Sequence, residues 1–323
     1  YNNVDNPLRA SIVADPAGAR VNTKDNTPAV VHIDMVAGDK IEVMIAAKGG
    51  GSENKSKMVM LNPSDSIADW VVKTLPIMGA GWCPPGMLGI GIGGTAEKAG
   101  VLAKESLMDP VDIQELIARG PETTEEKLRV DIFKKVNDLG IGAQGLGGLT
   151  TVVDIKIKSL PTHAASKPVV MIPNCAATRH AHFYLDGSGP ADLKAPKLED
   201  WPEVTWEVSE NTRRVNMDEL TKASILDWKV GETVLLSGKM LTGRDAAHKR
   251  IQTMLQNGEG LPDGVDLTDR FIYYVGPVDA VGDEVVGPAG PTTATRMDKF
   301  TDMMLEQTGL LGMIGKAERG PAT

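Results

Sequence analysis

The sequence predicts a mixed α/β protein in two parts, and three observations carry that prediction. Of its 323 residues, 41% are hydrophobic and 24% charged, the balance of an ordinary globular chain long enough for two domains. Short apolar runs of strand length alternate with stretches of helical period along the whole chain. A polar, proline-rich stretch through 186–212, opening with Gly187-Ser-Gly-Pro190, breaks that alternation and reads as a linker between residues 1–190 and 200–323.

The elements follow in order. Residues 29–47 alternate loosely around a Gly38-Asp39 turn, the pattern of two strands. The glycine-rich loop Lys48-Gly-Gly-Gly-Ser-Glu-Asn-Lys55 comes next. Ser66 is placed to cap a helix over 66–77 with Ile67, Trp70, Val71 and Leu75 on one face. After an irregular loop around Cys83, residues 88–92 read as a buried strand, and Gly93-Gly-Thr95 leads into a helix near 96–107. Residues 112–120 and 123–139 read as helices, and Val153, Ile155 and Ile157 alternate in a strand over 152–159. Beyond the linker come strands over 233–237 and 271–275, a helix over 245–256 between them, a loop over 287–293 and a helix over 296–307.

A net charge of −9 argues against broad binding to nucleic acid or anionic membrane, but not against a small anion met by local arginines. No run of about 18 apolar residues marks a membrane span. No basic-then-apolar leader is visible, and a chain with two cysteines suits a reducing, cytoplasmic setting.

Several stretches carry chemistry. Gly89-Ile-Gly-Ile-Gly-Gly94 fits the dinucleotide pattern, with Asp109 at the distance of a ribose contact. The strand expected before Asp109 is missing, however, because Lys104-Glu-Ser-Leu-Met is a poor strand; a strand-to-helix turn packed on a neighbour is the plainer reading. The Lys48–Lys55 loop is too short for a Walker loop. Its glycines free backbone N–H groups to cradle a carboxylate or phosphate, or simply form a flexible loop. Cys83, in Gly-Trp-Cys-Pro-Pro, and Cys175, in Pro-Asn-Cys-Ala-Ala, both read as loop residues. Irregular backbone favours a thiolate presented to a ligand over a buried small hydrophobe. Neither has a CxxC neighbour, and two thiolates alone are too few for a cubane cluster. Among the histidines, His163 lies in a loop twelve residues before Cys175, whereas His32, His180, His182 and His248 read as structural. Gly290-Pro-Thr-Thr-Ala-Thr-Arg296 sets hydroxyls and an arginine at the mouth of a helix, a carboxylate receptor or a set of N-caps. Leu241-Thr-Gly-Arg-Asp-Ala-Ala-His248 repeats the theme of strand, glycine, arginine and helix.

Taken together, Ala47-Lys-Gly-Gly-Gly-Ser-x-Asn-Lys55, Cys83-Pro-Pro, Ile92-Gly-Gly-Thr95, Gly142-Ala-Gln144, Thr242-Gly-Arg-Asp245, Gly290-Pro-Thr-Thr-x-x-Arg-Met-Asp298 and Gly315-Lys316 resemble the class I, oxygen-sensitive iron–sulfur fumarases and the related L-tartrate dehydratases. The resemblance runs through nearly the whole chain in the family's order. It implies an N-terminal α/β domain carrying a [4Fe–4S] cluster and a mobile C-terminal β/β/α domain. Cys83 and Cys175 match two of three cluster cysteines, with Pro84 and Pro85 expected to hold the Cys83 loop extended. The third, in a Cys-Gln-Asp-Thr-Gly motif with a catalytic aspartate, is expected upstream of Tyr1, and the family continues beyond Lys316. Arg9, Gly51, Arg244, Arg296 and Lys316 match carboxylate binders, Thr292 a proton-transfer group, and His163 a substrate contact.

The resemblance further implies reversible addition of water across the double bond of a small C4 dicarboxylate, by a homodimer. L-tartrate dehydration is the second enzymatic reading; a non-catalytic iron–sulfur sensor is a reading of another class.

Overall fold

The computed structural model describes residues 11–323 apart from positions 178, 192, 194–196, 198, 200, 201, 203, 204, 206, 211, 278, 279, 281, 288 and 322. These residues form two compact units, one from the described parts of 1–43 and 183–192, the other from 44–182 and 193–323. Strand β1 (Ile41–Ala46) pairs with β6 (His180–Leu185) in a two-stranded sheet. The first strand expected in 29–47 does not form. Val30, Val31, Ile33, Met35 and Val36 alternate but are 71–95% exposed, because β1 takes β6 as its neighbour and leaves that segment no sheet to join.

The second unit holds the larger sheets. The turn at Gly50–Glu53 (α1) is helical rather than open loop, and β2 (Lys57–Met60) follows it. Helix α2 (Ile67–Ile77) starts where Ser66 Oγ accepts from the Asp69 N–H at 3.1 Å. After it come β3 (Gly86–Gly93), α3 (Ala96–Ser106), α4 (Ile113–Arg119) and α5 (Thr124–Asp138). A reciprocal capping box between Thr123 and Glu126 opens α5. Strands β4 (Val152–Leu160) and β5 (Pro168–Cys175) complete a sheet of order β2-β5-β3-β4, in which β3 and β4 are parallel and the other pairs antiparallel.

Helices cover both faces of this sheet. Leu88, Ile90, Val152, Ile155, Val169 and Met171 pack against α2 and α5, while Met87, Val170 and Ile172 pack against Ala99, Ala103 and Leu107 of α3 and its end. On the α3 face Gly89 and Gly91 are obligatory, since a Cβ at either would run into the backbone of Ala99 or Ala103. The glycine pattern therefore serves close helix–sheet packing. Asp109 pairs with Lys158 at 3.2 Å, and no strand precedes it.

Strand β4 also carries a buried ionic network. Asp154 is fully buried and bonds Lys156 at 2.8 Å and Arg129 at 3.1 Å, tying α5 to the sheet.

In the C-terminal part, β7 (Arg213–Asn216) and β8 (Val234–Ser237) pair in parallel. Strand β9 (Leu241–Thr242) leads into α6 (Asp245–Gln256), and β10 (Phe271–Tyr273) and β11 (Gly312–Ile314) complete a parallel sheet of order β11-β10-β9. The helix expected over 296–307 is two elements, a 3-10 segment over Ala294–Phe300 and α7 (Thr301–Thr308). A second core of Ile251, Ile272, Tyr274, Met297, Phe300 and Met304 joins them. Much of the expected linker over 186–212 lies outside the described residues. Among the described residues no helix is long and apolar enough to cross a membrane.

Candidate active site

Cys83 and Cys175 are free thiols, and the sheet brings them to one end. Cys175 is the last residue of β5 rather than a loop residue, and its register partner is Gly86, three residues past Cys83. Cys83 follows a 3-10 turn over Gly79–Trp82 anchored by the fully buried Trp82. It is not extended as expected. With φ 65° and ψ 61° it is left-handed, a conformation that costs a non-glycine residue about 1–2 kcal/mol.

The turn is gripped from behind by Gln144. Its backbone N–H (2.6 Å) and its side-chain Nε2 (3.2 Å) both donate to the Pro84 carbonyl. A carbonyl only accepts, so Nε2 must face it, leaving Gln144 Oε1 buried and without a hydrogen-bond partner among the described residues.

A charged group lies near Cys175. Lys48 donates to Ser52 Oγ at 2.9 Å and pairs with Glu53 at 3.0 Å, while Lys104 meets the same carboxylate at 2.5 Å. Burial holds the Lys48 ammonium below its ordinary pKa, opposed by Glu53 and to a smaller extent by Cys175. Burial pushes the Glu53 carboxyl up, but hydrogen bonds from Lys104 and Lys48 outweigh it and hold the group below the usual range.

The other wall is the carboxyl edge of β9, β10 and β11. Parallel strands end on one side, where α/β sheets characteristically bind ligands. Arg244 follows β9, and its guanidinium lies over Gly276 beyond β10, where a Cβ would stand 3.5 Å from Cζ. Lys316 follows β11. Thr292 is laced between them: its N–H donates to the Tyr274 carbonyl at 2.7 Å, and its carbonyl accepts from Lys316 at 3.1 Å. Arg296 reaches Asp245 at 2.6 Å, at the start of α6 beside Arg244. Thr293 makes no side-chain cap, Thr295 Oγ1 donates to the Glu318 carbonyl at 2.6 Å, and Thr292 Oγ1 is buried without a partner among the described residues.

His248, read as structural from sequence, supports Arg244. Its backbone N–H (3.0 Å) and Nδ1 (2.9 Å) both meet the Arg244 carbonyl, so Nδ1 carries the proton. Burial lowers its pKa and keeps the ring neutral.

The two walls touch. The Lys316 ammonium contacts the Cys83 thiol, and a Cβ on Gly51 would stand 3.4 Å from the Gly81 carbonyl in the Cys83 turn. The structure therefore sets Cys83 against Lys316 and near Gly51, with Thr292, Arg244 and Arg296 along the same sheet edge as Lys316 and Cys175 on the neighbouring strand. It does not bring His163 to them. That residue follows the far end of β4, next to Gly94, and the length of β3 separates it from Cys83 by about 23 Å at 3.3 Å per residue. Arg9 lies outside the described residues.

The two thiols fit two corners of a cluster, being soft donors at a shared sheet end. The chain has two cysteines and so supplies no third thiolate, and among the described residues no group of three His, Cys, Asp or Glu side chains is set to hold a metal ion.

Comparisons with known proteins identify the family. A family model described as fumarate hydratase (Fumerase) matches residues 1–184, and one described as fumarase C-terminus matches residues 187–323. The aerobic class I fumarate hydratase of Escherichia coli K12 is 32% identical over 317 residues, covering 93% of this chain and 56% of its own length. Fumarate hydratase 2 of Leishmania major is 32% identical over 318 residues, covering 92% of this chain and 54% of its own length. A putative L(+)-tartrate dehydratase subunit alpha of Methanocaldococcus jannaschii is 37% identical over 181 residues, 54% of this chain and 62% of its own length. The chain thus spans about half the length of the fumarate hydratases it matches. With the two family models adjoining across it, the chain belongs to the fumarate hydratase family.

Proposed function

We propose that this chain serves a hydro-lyase that interconverts fumarate and L-malate. The observation that carries the reading is the Lys316–Cys83 contact, which sets the strand edge bearing Arg244 and Thr292 against the cysteine turn. Cations at the end of a parallel sheet, beside a hydroxyl with no partner, suit a small dianion that must be held at both ends.

In this reading Arg244, Arg296 and Lys316 bind the two carboxylates, and the Gly51 turn offers backbone N–H groups. Forked guanidinium contacts fix the carboxylate planes, so that proton and hydroxyl leave from opposite faces. Asp245 holds Arg296 in place until a substrate carboxylate competes for it. Thr292 Oγ1 is the proton-transfer atom; a neutral hydroxyl is a weak base, and the Arg296 and Lys316 charges favour its deprotonated form. A [4Fe–4S] cluster, with Cys83 and Cys175 as two of its ligands, supplies Lewis acidity toward a carboxylate and hydroxyl when bound. The cluster part is residues 1–190 and the mobile part residues 200–323, working as a homodimer in the cytoplasm.

L-tartrate dehydration is the second reading, favoured by the 37% identity to the putative tartrate dehydratase subunit. The native polypeptide, reconstituted anaerobically with iron and sulfide, separates the two. Malate formed from fumarate, and lost in air, supports the first; oxaloacetate formed preferentially from L-tartrate supports the second. An intact cluster with neither activity overturns both in favour of a sensor.

A further inference from the structure

We propose that Lys55 is a further carboxylate-binding residue of this site, completing its set of cations from the side of the cysteine turn. The proposal rests on the dicarboxylate reading above.

Lys55 closes the glycine-rich turn, where its N–H donates to the Ser52 carbonyl at 3.0 Å. Its side chain runs to the Cys83 turn and lies along Gly81. A Cβ on Gly81 would stand 2.7 Å from Lys55 Cε, 3.4 Å from Lys55 Nζ and 3.8 Å from Thr293 Oγ1. The ammonium and the Thr293 hydroxyl thus share the hollow left by the missing side chain, two residues before Cys83. Thr293 is in turn bridged to Lys316. Lys55, Gly51, Thr293 and Lys316 therefore surround one turn.

The pairing of the neighbouring lysines gives this position its meaning. Lys48 and Lys104 share the Glu53 carboxylate at 3.0 and 2.5 Å, and the buried Lys156 rests on Asp154 at 2.8 Å. The Lys55 residue is half-buried, its head lies against Gly81, and among the described residues its ammonium has no hydrogen bond or ion pair. An ammonium held against the cysteine turn without a counter-charge is a ready partner for an arriving anion. A purely structural lysine would be paired as Lys156 is, or would extend its head into bulk water. A carboxylate seated between Lys55 and the Thr293 hydroxyl supplies the missing charge, while Arg244 and Arg296 remain for the second carboxylate. The ligand class is a short dicarboxylate, with one end at the cysteine turn and the other at the carboxyl edge of the C-terminal sheet.

Succinate tests this without turnover, because it has neither a double bond to hydrate nor a hydroxyl to lose. Its binding to the cluster-loaded native polypeptide is measured anaerobically by calorimetry. Lys55→Met is expected to weaken succinate by about tenfold or more, the effect of losing one charge-assisted hydrogen bond. Lys55→Arg is expected to recover part of the loss, and Lys135→Met, on the exposed face of α5, to bind as the parent does. Lys55→Gln provides a second variant should the methionine perturb folding. Equal affinity in the parent, Lys55→Met and Lys55→Gln overturns the assignment and leaves the dicarboxylate reading standing. A parent that binds no succinate overturns both.

Discussion

Gln144 holds Pro84 by two donors to one carbonyl, the backbone N–H at 2.6 Å and Nε2 at 3.2 Å. Both Gln144 (φ 55°) and Cys83, the residue before Pro84, are left-handed without being glycine. Two strained residues thus meet through one hydrogen-bonded oxygen. Strain of this kind persists only where surrounding contacts over-determine it.

Gln144→Ala removes one of the two donors and is expected to loosen the turn. With about 1 kcal/mol of local restraint lost, Cys83 should be alkylated about fivefold faster while Cys175 is unchanged. Mass spectrometry after timed iodoacetamide treatment reads both thiols. Equal acceleration of the two would show general unfolding and sink the idea of a local clamp.

Gly91→Ala tests the packing of α3 on β3. The added methyl meets backbone on both Ala99 and Ala103, which cannot rotate away as a flexible side chain would. A loss of roughly 1–3 kcal/mol or more is expected in urea unfolding. Unchanged stability would mean that α3 can ride higher on the sheet than its core contacts suggest.

Asp154→Ala leaves Lys156, itself 1% exposed, without its buried carboxylate. Stranding a buried charge outright costs about 3–5 kcal/mol, but Lys156 keeps Asp112 at 3.3 Å and the Pro110 carbonyl, so a loss of about 1–3 kcal/mol is expected here. Asp131→Ala, which breaks the exposed Lys135–Asp131 pair, is expected to cost about 0.5 kcal/mol or less. Chemical denaturation should therefore show the larger loss for Asp154→Ala, by about 1 kcal/mol or more, and similar losses would refute the distinction.

Glu126 gives an acid-side prediction. Hydrogen bonds from Arg119 and from the Glu122 and Thr123 N–H groups lower its carboxyl from the ordinary 4.5 to about 2. Its stabilising contribution is fully present above pH 4.5 and is lost as pH falls toward about 2. Glu126→Gln should flatten the acid limb of the stability curve in that window and leave its shape at neutral pH unaltered. Solvent screening at the helix start keeps the effect small. A parent and variant with parallel curves between pH 5 and 2 would rule it out.

Helices with a one-sided apolar stripe were legible in the sequence: α2 behind its cap Ser66, α5 behind Thr123, and α6 over 245–256 without a side-chain cap. Strand β5 was not, because helices cover both faces of its sheet, and Val169–Ile172 shows a continuous apolar run without period. Residues 29–36 failed in the opposite sense, since alternation marks a strand only when a neighbour accepts it. The site was legible as motifs but not as geometry. Nothing local in Cys83-Pro-Pro or Gly315-Lys316 says that they touch. The paired donors of Gln144 and His248 left no periodic trace, because each holds one carbonyl and not a face.

The separation of Cys83 and Lys316 by 233 positions is also an interval of time. At 5–20 residues per second, a ribosome needs roughly 12–47 s to synthesise that stretch. Throughout it Cys83 has been made and the ammonium that will touch it has not. Translation speed therefore sets the dose of dissolved oxidant that the thiol meets before its neighbour exists, and in air slower elongation is expected to yield more chains oxidised at Cys83.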